Sequence, residues 1–122
     1  MARVFDKKLL AILEKELGDD AKMRYEQGRV IMQEGQVGVL MYVVLSGSVQ
    51  ISIKGKLVEI VGPGAVFGEM ALVEKGPRLA SAVAETTTEL LAINRAAFLD
   101  LVKTNPEFGM SLLRSEEHTS EL

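Results

Sequence analysis

Nine glycines between residues 28 and 76 constrain this chain more than any other feature of it. Gly28, Gly35, Gly38, Gly47, Gly55, Gly62, Gly64, Gly68 and Gly76 cut the middle of the sequence into apolar runs of a few residues each. A glycine costs roughly 1 kcal/mol in a helix interior, and runs this short cannot supply the three or four turns that a packed helix needs. Short strands joined by tight turns are what the pattern allows, so residues 22 to 94 are predicted to form a many-stranded β core.

The runs themselves agree with this. Val49, Ile51 and Ile53 alternate with Gln50, Ser52 and Lys54, which turns one face of a strand toward a core. Leu40 to Leu45 is apolar at every position, as expected of a strand covered on both sides. Gly47 between these two strands suits a turn that needs positive φ. Lys54-Gly55-Lys56 leads into a strand at Leu57 to Val61, and Gly62-Pro63-Gly64 turns the chain again before Ala65-Val66-Phe67. Ser81 to Ala84 and Thr88 to Asn94 read as the last strands.

Outside the core the period changes to that of a helix. Val4, Phe5, Leu9, Leu10, Ile12, Leu13 and Leu17 form an apolar stripe over residues 4 to 17, and Gly18 stops it. A further helix begins at Arg95 and carries Phe98, Leu99 and Val102. Asn105-Pro106 then opens a second, with Phe108, Met110, Leu112 and Leu113. The expected class is mainly β with flanking helices, an α+β chain built on a jelly roll or small barrel.

Composition removes several functions. There is no cysteine and a lone histidine, His118, so disulfides and zinc, iron or copper centres lack their ligands. Metal-dependent enzymes of jelly-roll shape need an inward histidine cluster, and the chain is expected not to be an enzyme. Met23, Met32, Met41, Met70 and Met110 read as core filling rather than a soft-metal path. Fourteen basic residues against seventeen acidic ones, without a basic cluster, predict no nucleic-acid binding by these residues alone. No apolar run nears the roughly 20 residues of a membrane span, and the N-terminus lacks a secretory pattern, so the expected location is cytoplasmic. Residues 114 to 122, Arg-Ser-Glu-Glu-His-Thr-Ser-Glu-Leu, match the translation of a common sequencing-adapter string. They are read as a non-native tail, which leaves a single domain over residues 1 to 113.

The segment from Phe67 to Val83 carries chemistry. It lies between two strands, and its apolar middle, Met70 to Val73, is long enough for one helical turn whose free amides attract anions. Gly68 permits close backbone approach before that turn. Gly76-Pro77 folds the chain back, so Arg78 returns to the same place. A guanidinium beside exposed amides suits phosphate, to which it can give two charge-assisted hydrogen bonds. Glu69 sits beside this anion site, where a carboxylate is tolerated if it accepts from hydroxyl groups such as a ribose 2′-OH. Taken alone, Glu69 and Arg78 would read as an ion pair bridging the ends of a loop, and Tyr42 and Phe67 read as core rather than stacking platforms. Gly62, Gly64 and Gly68 do not make a dinucleotide loop, because no long helix follows them.

The string F-G-E-M-A-L, four residues, then P-R-L-A-S-A-V resembles the phosphate-binding cassette of cyclic-nucleotide-binding domains, as found in bacterial cAMP-receptor-like and kinase-regulatory-subunit-like proteins. The resemblance spans about residues 22 to 113, with Gly35, Gly47 and Pro63-Gly64 at matching turns. It implies an eight-stranded jelly roll, also called a double-stranded β-helix, with an N-terminal helix and two C-terminal helices. It further implies that Glu69 takes the ribose 2′-OH, that Arg78 takes the cyclic phosphate, and that amides at Ala71 and at Leu79 or Ala80 assist. The expected ligand-binding set is Gly68, Glu69, Met70, Ala71, Arg78, Leu79, Ala80 and Ser81. Leu79 stands where some members carry Ser or Thr, which leans the ligand toward cAMP rather than cGMP, although Ser81 is close by. The implied role is a sensor signalling through the C-terminal helices to a second copy or a partner domain. The rival readings are an empty scaffold of the same fold and an N-terminal piece of a transcriptional regulator.

Overall fold

Asp6 starts the N-terminal helix, because its Oδ1 accepts from the amide of Leu9 at 2.8 Å and satisfies a group the first turn would leave open. In the computed structural model, which describes residues 3–72 and 76–110, this helix, α1, runs Lys7–Leu17. Gly18 ends it at φ 71 with its amide on the Glu14 carbonyl. The predicted start at residue 4 is corrected by the structure. Arg3–Val4 form a short strand, β1, and Val4 is exposed while Phe5 is buried. A capping aspartate at position 6 outweighs an apolar period that begins before it.

Two antiparallel sheets follow. The first has the order β1-β7-β4-β9-β2, with β2 at Lys22–Tyr25, β4 at Met41–Ser46, β7 at Ala65–Phe67 and β9 at Thr88–Ile93. The second has the order β3-β8-β5-β6, with β3 at Val30–Met32, β5 at Val49–Ile53, β6 at Lys56–Val61 and β8 at Ser81–Ala84. Setting aside the two-residue β1, four strands face four, which is the jelly-roll arrangement expected. The helix α2 spans Arg95–Thr104, and residues 106–110 are again helical. Asn94, predicted as the end of a strand, instead caps α2 by accepting from the Ala97 amide at 2.8 Å. Leu112, Leu113 and the proposed tail at residues 114 to 122 lie outside the described residues.

The continuous apolar run of β4 has a plain cause. Its odd residues, Met41 and Val43, join Phe5, Leu9, Leu13, Leu91, Ile93, Leu101 and Phe108 in a core beneath the helices. Its even residues, Tyr42 and Val44, join Val49, Val61, Phe67, Ala82 and Leu90 between the sheets. A strand serving two cores must be apolar at successive positions. The alternation of β5 is weaker than its sequence suggests: Val49 is fully buried, Ile51 half-buried and Ile53 exposed, as the strand climbs from the core toward its hairpin tip. Of the five methionines read as core, Met41 is buried and Met32 partly so, but Met23, Met70 and Met110 are exposed. Their flanking apolar neighbours mark the elements and not which side the methionine faces.

Gly47 holds φ 89 at the β4–β5 turn, and a Cβ there would collide with the Thr87 carbonyl and come within 2.7 Å of Thr88 Oγ1. Strained φ and overpacking act together, so Gly47→Ala is expected to lower the unfolding free energy by about 2–4 kcal/mol. Urea denaturation measures it, and a loss below about 0.5 kcal/mol would contradict this turn.

Candidate functional site

The site is assembled from the end of β7 onward. Gly68 follows Phe67 at φ 78, a conformation that suits glycine, and swings the chain into a 3-10 turn over Glu69–Leu72. The predicted helical turn is thus present, one residue earlier than expected, and Val73, Glu74 and Lys75 lie outside the described residues. The chain returns at Gly76 and Pro77, where Pro77 bridges to Val37 in antiparallel fashion. Arg78 comes next, and β8 begins three residues later.

Arg78 is the chemical centre of the segment. It is 9% exposed, and with Thr88 makes up the buried polar residues of the described chain. Its backbone is pinned on both sides, the amide donating to Gln36 O at 2.8 Å and the carbonyl accepting from the Gly35 amide at 2.9 Å. Its guanidinium donates from Nη1 to Gly68 O at 3.0 Å and from Nη2 to Leu40 O at 2.7 Å. The guanidinium carbon lies 5.8 Å from the centre of the Tyr42 ring, within cation–π range. Tyr42 itself stacks on Phe67, with ring centres 5.2 Å apart, so the ring read as core is core and also backs the arginine. Five N–H groups serve a guanidinium, and the bonds to Gly68 and Leu40 use two of them. The remaining three make no other hydrogen bond among the described residues.

The other predicted residues gather around this centre in part. Gly68 touches Arg78 directly, and Glu69 opens the turn next to it, partly buried. Met70 is exposed, Leu79 is 70% exposed, and Ala80 is half-buried. Ala71 contributes backbone to the turn. Ser81 Oγ accepts from the Glu34 amide at 2.9 Å, which ties the start of β8 to the loop after β3 and still leaves its hydroxyl proton to give.

Sequence reading missed the far wall. Gly38 lies against the guanidinium, so that a Cβ built there would overlap its Nε, Cζ and Nη2. Leu40 supplies a carbonyl from a position read only as strand. The available signal was a pair of glycines, Gly35 and Gly38, just before an apolar strand, a spacing that one turn alone does not require.

A groove lined by Met23, Arg24, Tyr25, Glu26, Arg29 and Val30 contains none of these residues. Arg24 and Glu26 of its lining pair at 3.5 Å, and burial, with Tyr42 adding, raises the Tyr25 phenol above its ordinary pKa. Among the described residues no helix is long and apolar enough to cross a membrane.

Two facing antiparallel sheets, with a buried arginine held at the end of a returning loop, define a jelly-roll β domain flanked by helices. Comparison with known proteins places that class more narrowly. The family profile of the cyclic nucleotide-binding domain matches residues 22–105, and the chain belongs to that family. It is 40% identical over 87 residues to the cyclic AMP receptor protein of Thermus thermophilus, covering 67% of this chain and 40% of that protein. The crystal structure of the Thermus thermophilus catabolite activator protein superposes with a TM-score of 0.80 at 30% identity, over 96% of this chain and 56% of that one. A structure from work on a cyclic-GMP-dependent signalling pathway in bacterial phytopathogenesis superposes with a TM-score of 0.83 at 25% identity, over 97% of this chain and 96% of that one. The chain spans about two fifths of the length of the cyclic AMP receptor protein and of a further curated relative it matches.

Proposed function

We propose that residues 1 to 113 are a sensor domain that binds a cyclic nucleotide, cAMP in preference to cGMP, and reports its binding through the C-terminal helices. The observation that carries this reading is Arg78, a buried guanidinium with donors that have no partner among the described residues, set where the cassette closes on itself. The ligand-binding set is Gly68, Glu69, Met70, Ala71, Arg78, Leu79, Ala80 and Ser81. Arg78 takes the cyclic phosphate, Glu69 the ribose 2′-OH, and the backbone of the turn the remaining phosphate oxygens. Leu79 has no hydroxyl to offer a guanine amino group, which favours cAMP. This is a binding module in a cytoplasmic protein, not a catalyst, and its output acts on a second copy or a partner domain.

A route from site to output supports the sensor reading. Arg95, the first residue of α2, donates from Nη1 to the carbonyl of Leu72, the last residue of the cassette turn, at 2.5 Å. Leu72 is also buried in the same core as Leu101 of α2 and Phe108 of the following helical segment. A shift of the turn on binding therefore moves a hydrogen bond and a core residue that both helices share. A ligand that binds the two arrangements unequally would shift their populations by that difference.

One observation favours the rival empty scaffold. The two backbone carbonyls on Arg78 hold its guanidinium as a structural arginine would be held. Calorimetry with cAMP and cGMP separates the two readings, since a scaffold gives no heat and no thermal shift with either. The Glu69 role has its own test. Glu69→Gln should raise the Kd for cAMP roughly tenfold, about 1.4 kcal/mol, and 2′-deoxy-cAMP should show the same loss on the unaltered chain. Equal affinity for the deoxy ligand would remove that assignment.

A further inference from the structure

We propose that Gly38 is a positioning residue for Arg78, its missing side chain being the seat in which the guanidinium is aimed at the ligand phosphate. The inference rests on the cyclic-nucleotide reading above and deepens it, by naming a residue outside the cassette on which the phosphate contact depends.

Glycine is required at a position for one of two physical reasons, a backbone angle or a close approach. Gly18, Gly28, Gly35, Gly47, Gly55, Gly64 and Gly68 all have positive φ, and Gly38 does not. The backbone at residue 38 would accept alanine. What it cannot accept is the Cβ, which would occupy the space of Nε, Cζ and Nη2 of Arg78. Three atoms of one planar group meet that single position, so no small shift of one atom relieves the overlap.

Neither can the arginine withdraw as a whole. Its amide and carbonyl are bonded to Gln36 and Gly35, and Pro77 before it bridges to Val37, so residues 35 to 37 hold its backbone in register. Leu40 then holds Nη2. One loop thus grips Arg78 at three levels, backbone, plane and tip, and residue 38 sits at the plane. With the chain fixed, a methyl group at 38 must swing the guanidinium about its side-chain torsions and away from Gly68 and Leu40. A forked contact to phosphate depends on the direction of the fork, so the expected loss falls on binding.

The test compares Gly38→Ala, Arg78→Ala and the double variant. Gly38→Ala should raise the Kd for cAMP at least tenfold, and in the Arg78→Ala background the same change should leave affinity and thermal midpoint unaltered. The Nε–H resonance of Arg78, identified by its disappearance in Arg78→Ala, should move in Gly38→Ala and lose its response to cAMP. An unmoved resonance together with unchanged affinity would overturn the inference and leave the nucleotide reading intact. If the unaltered chain binds neither cAMP nor cGMP, the functional reading falls and takes the ligand clause with it. The resonance and the stability cycle, which need no nucleotide, then still decide the seat. Should Gly38→Ala fail to fold, the double variant must fold, because removing the guanidinium empties the space; a double variant that also fails would overturn the inference.

Discussion

Replacing Arg78 with alanine is expected to raise the Kd for cAMP by at least about 100-fold, equivalent to about 2.7 kcal/mol. A charge-assisted, forked contact to phosphate lies at the strong end of hydrogen bonding, and the proposed contact comes from a residue that is 9% exposed, where water competes poorly. The substitution also leaves the carbonyls of Gly68 and Leu40 without their present donor, at a cost to stability of about 1–3 kcal/mol. Binding must therefore be read on protein shown by its thermal transition to be folded. Arg78→Lys is the sharper companion: it keeps the charge but loses the planar fork and the reach to two carbonyls in different segments, so it should recover only a small part of the affinity. Unchanged affinity in folded Arg78→Ala would mean that the anion does not sit where the cassette closes.

The largest expected loss of stability lies elsewhere, at Phe108. This residue is fully buried and meets two rings edge-on, Phe5 at 5.6 Å and Phe98 at 5.7 Å between centres. Those three rings come from the segment before α1, from α2 and from the helical segment after it. They tie the segment before α1 to α2 and the helical segment at residues 106–110 over the first sheet. Phe108→Ala should cost about 3–5 kcal/mol, the usual range for emptying an aromatic core site. For a domain of this size each kcal/mol lowers the midpoint by roughly 4–8 °C, so the shift should be plain in a thermal scan. Met110→Ala, two residues on at an exposed position, serves as the control and should change little. A change below about 1 kcal/mol at Phe108 would mean that the last helical segment is not docked in solution, which would also remove the proposed route from Leu72 to the output helices.

Most of the strand plan is legible in the sequence. Ala65–Phe67 and Ser81–Ala84 fall where the apolar runs put them, and β4 and β6 fall within a residue of their expected bounds. Each is bounded by residues whose preferences act over two or three positions, such as Gly47 at positive φ and the Lys54-Gly55 hairpin, where both residues have positive φ. The errors share a different origin. Val4 fits the apolar period of a helix that Asp6 refuses it, and Met23, Met70 and Met110 read as core but do not enter it. An apolar letter says that a side chain tolerates burial, and the choice of face depends on what packs against the element.

The amino-acid order by itself determined a chain of short strands between helices, with a glycine-framed cassette carrying Glu69 and Arg78. Those features follow from propensities and spacings that neighbouring residues impose on one another. Tertiary structure alone decided what holds the arginine. Gly38, Leu40 and Tyr42 lie some 40 positions earlier in the chain, and only the pairing of the loop before β4 with the cassette's return arm brings them to the guanidinium. No local pattern encodes that meeting, because its cause is a backbone register between distant segments and the close packing it enforces.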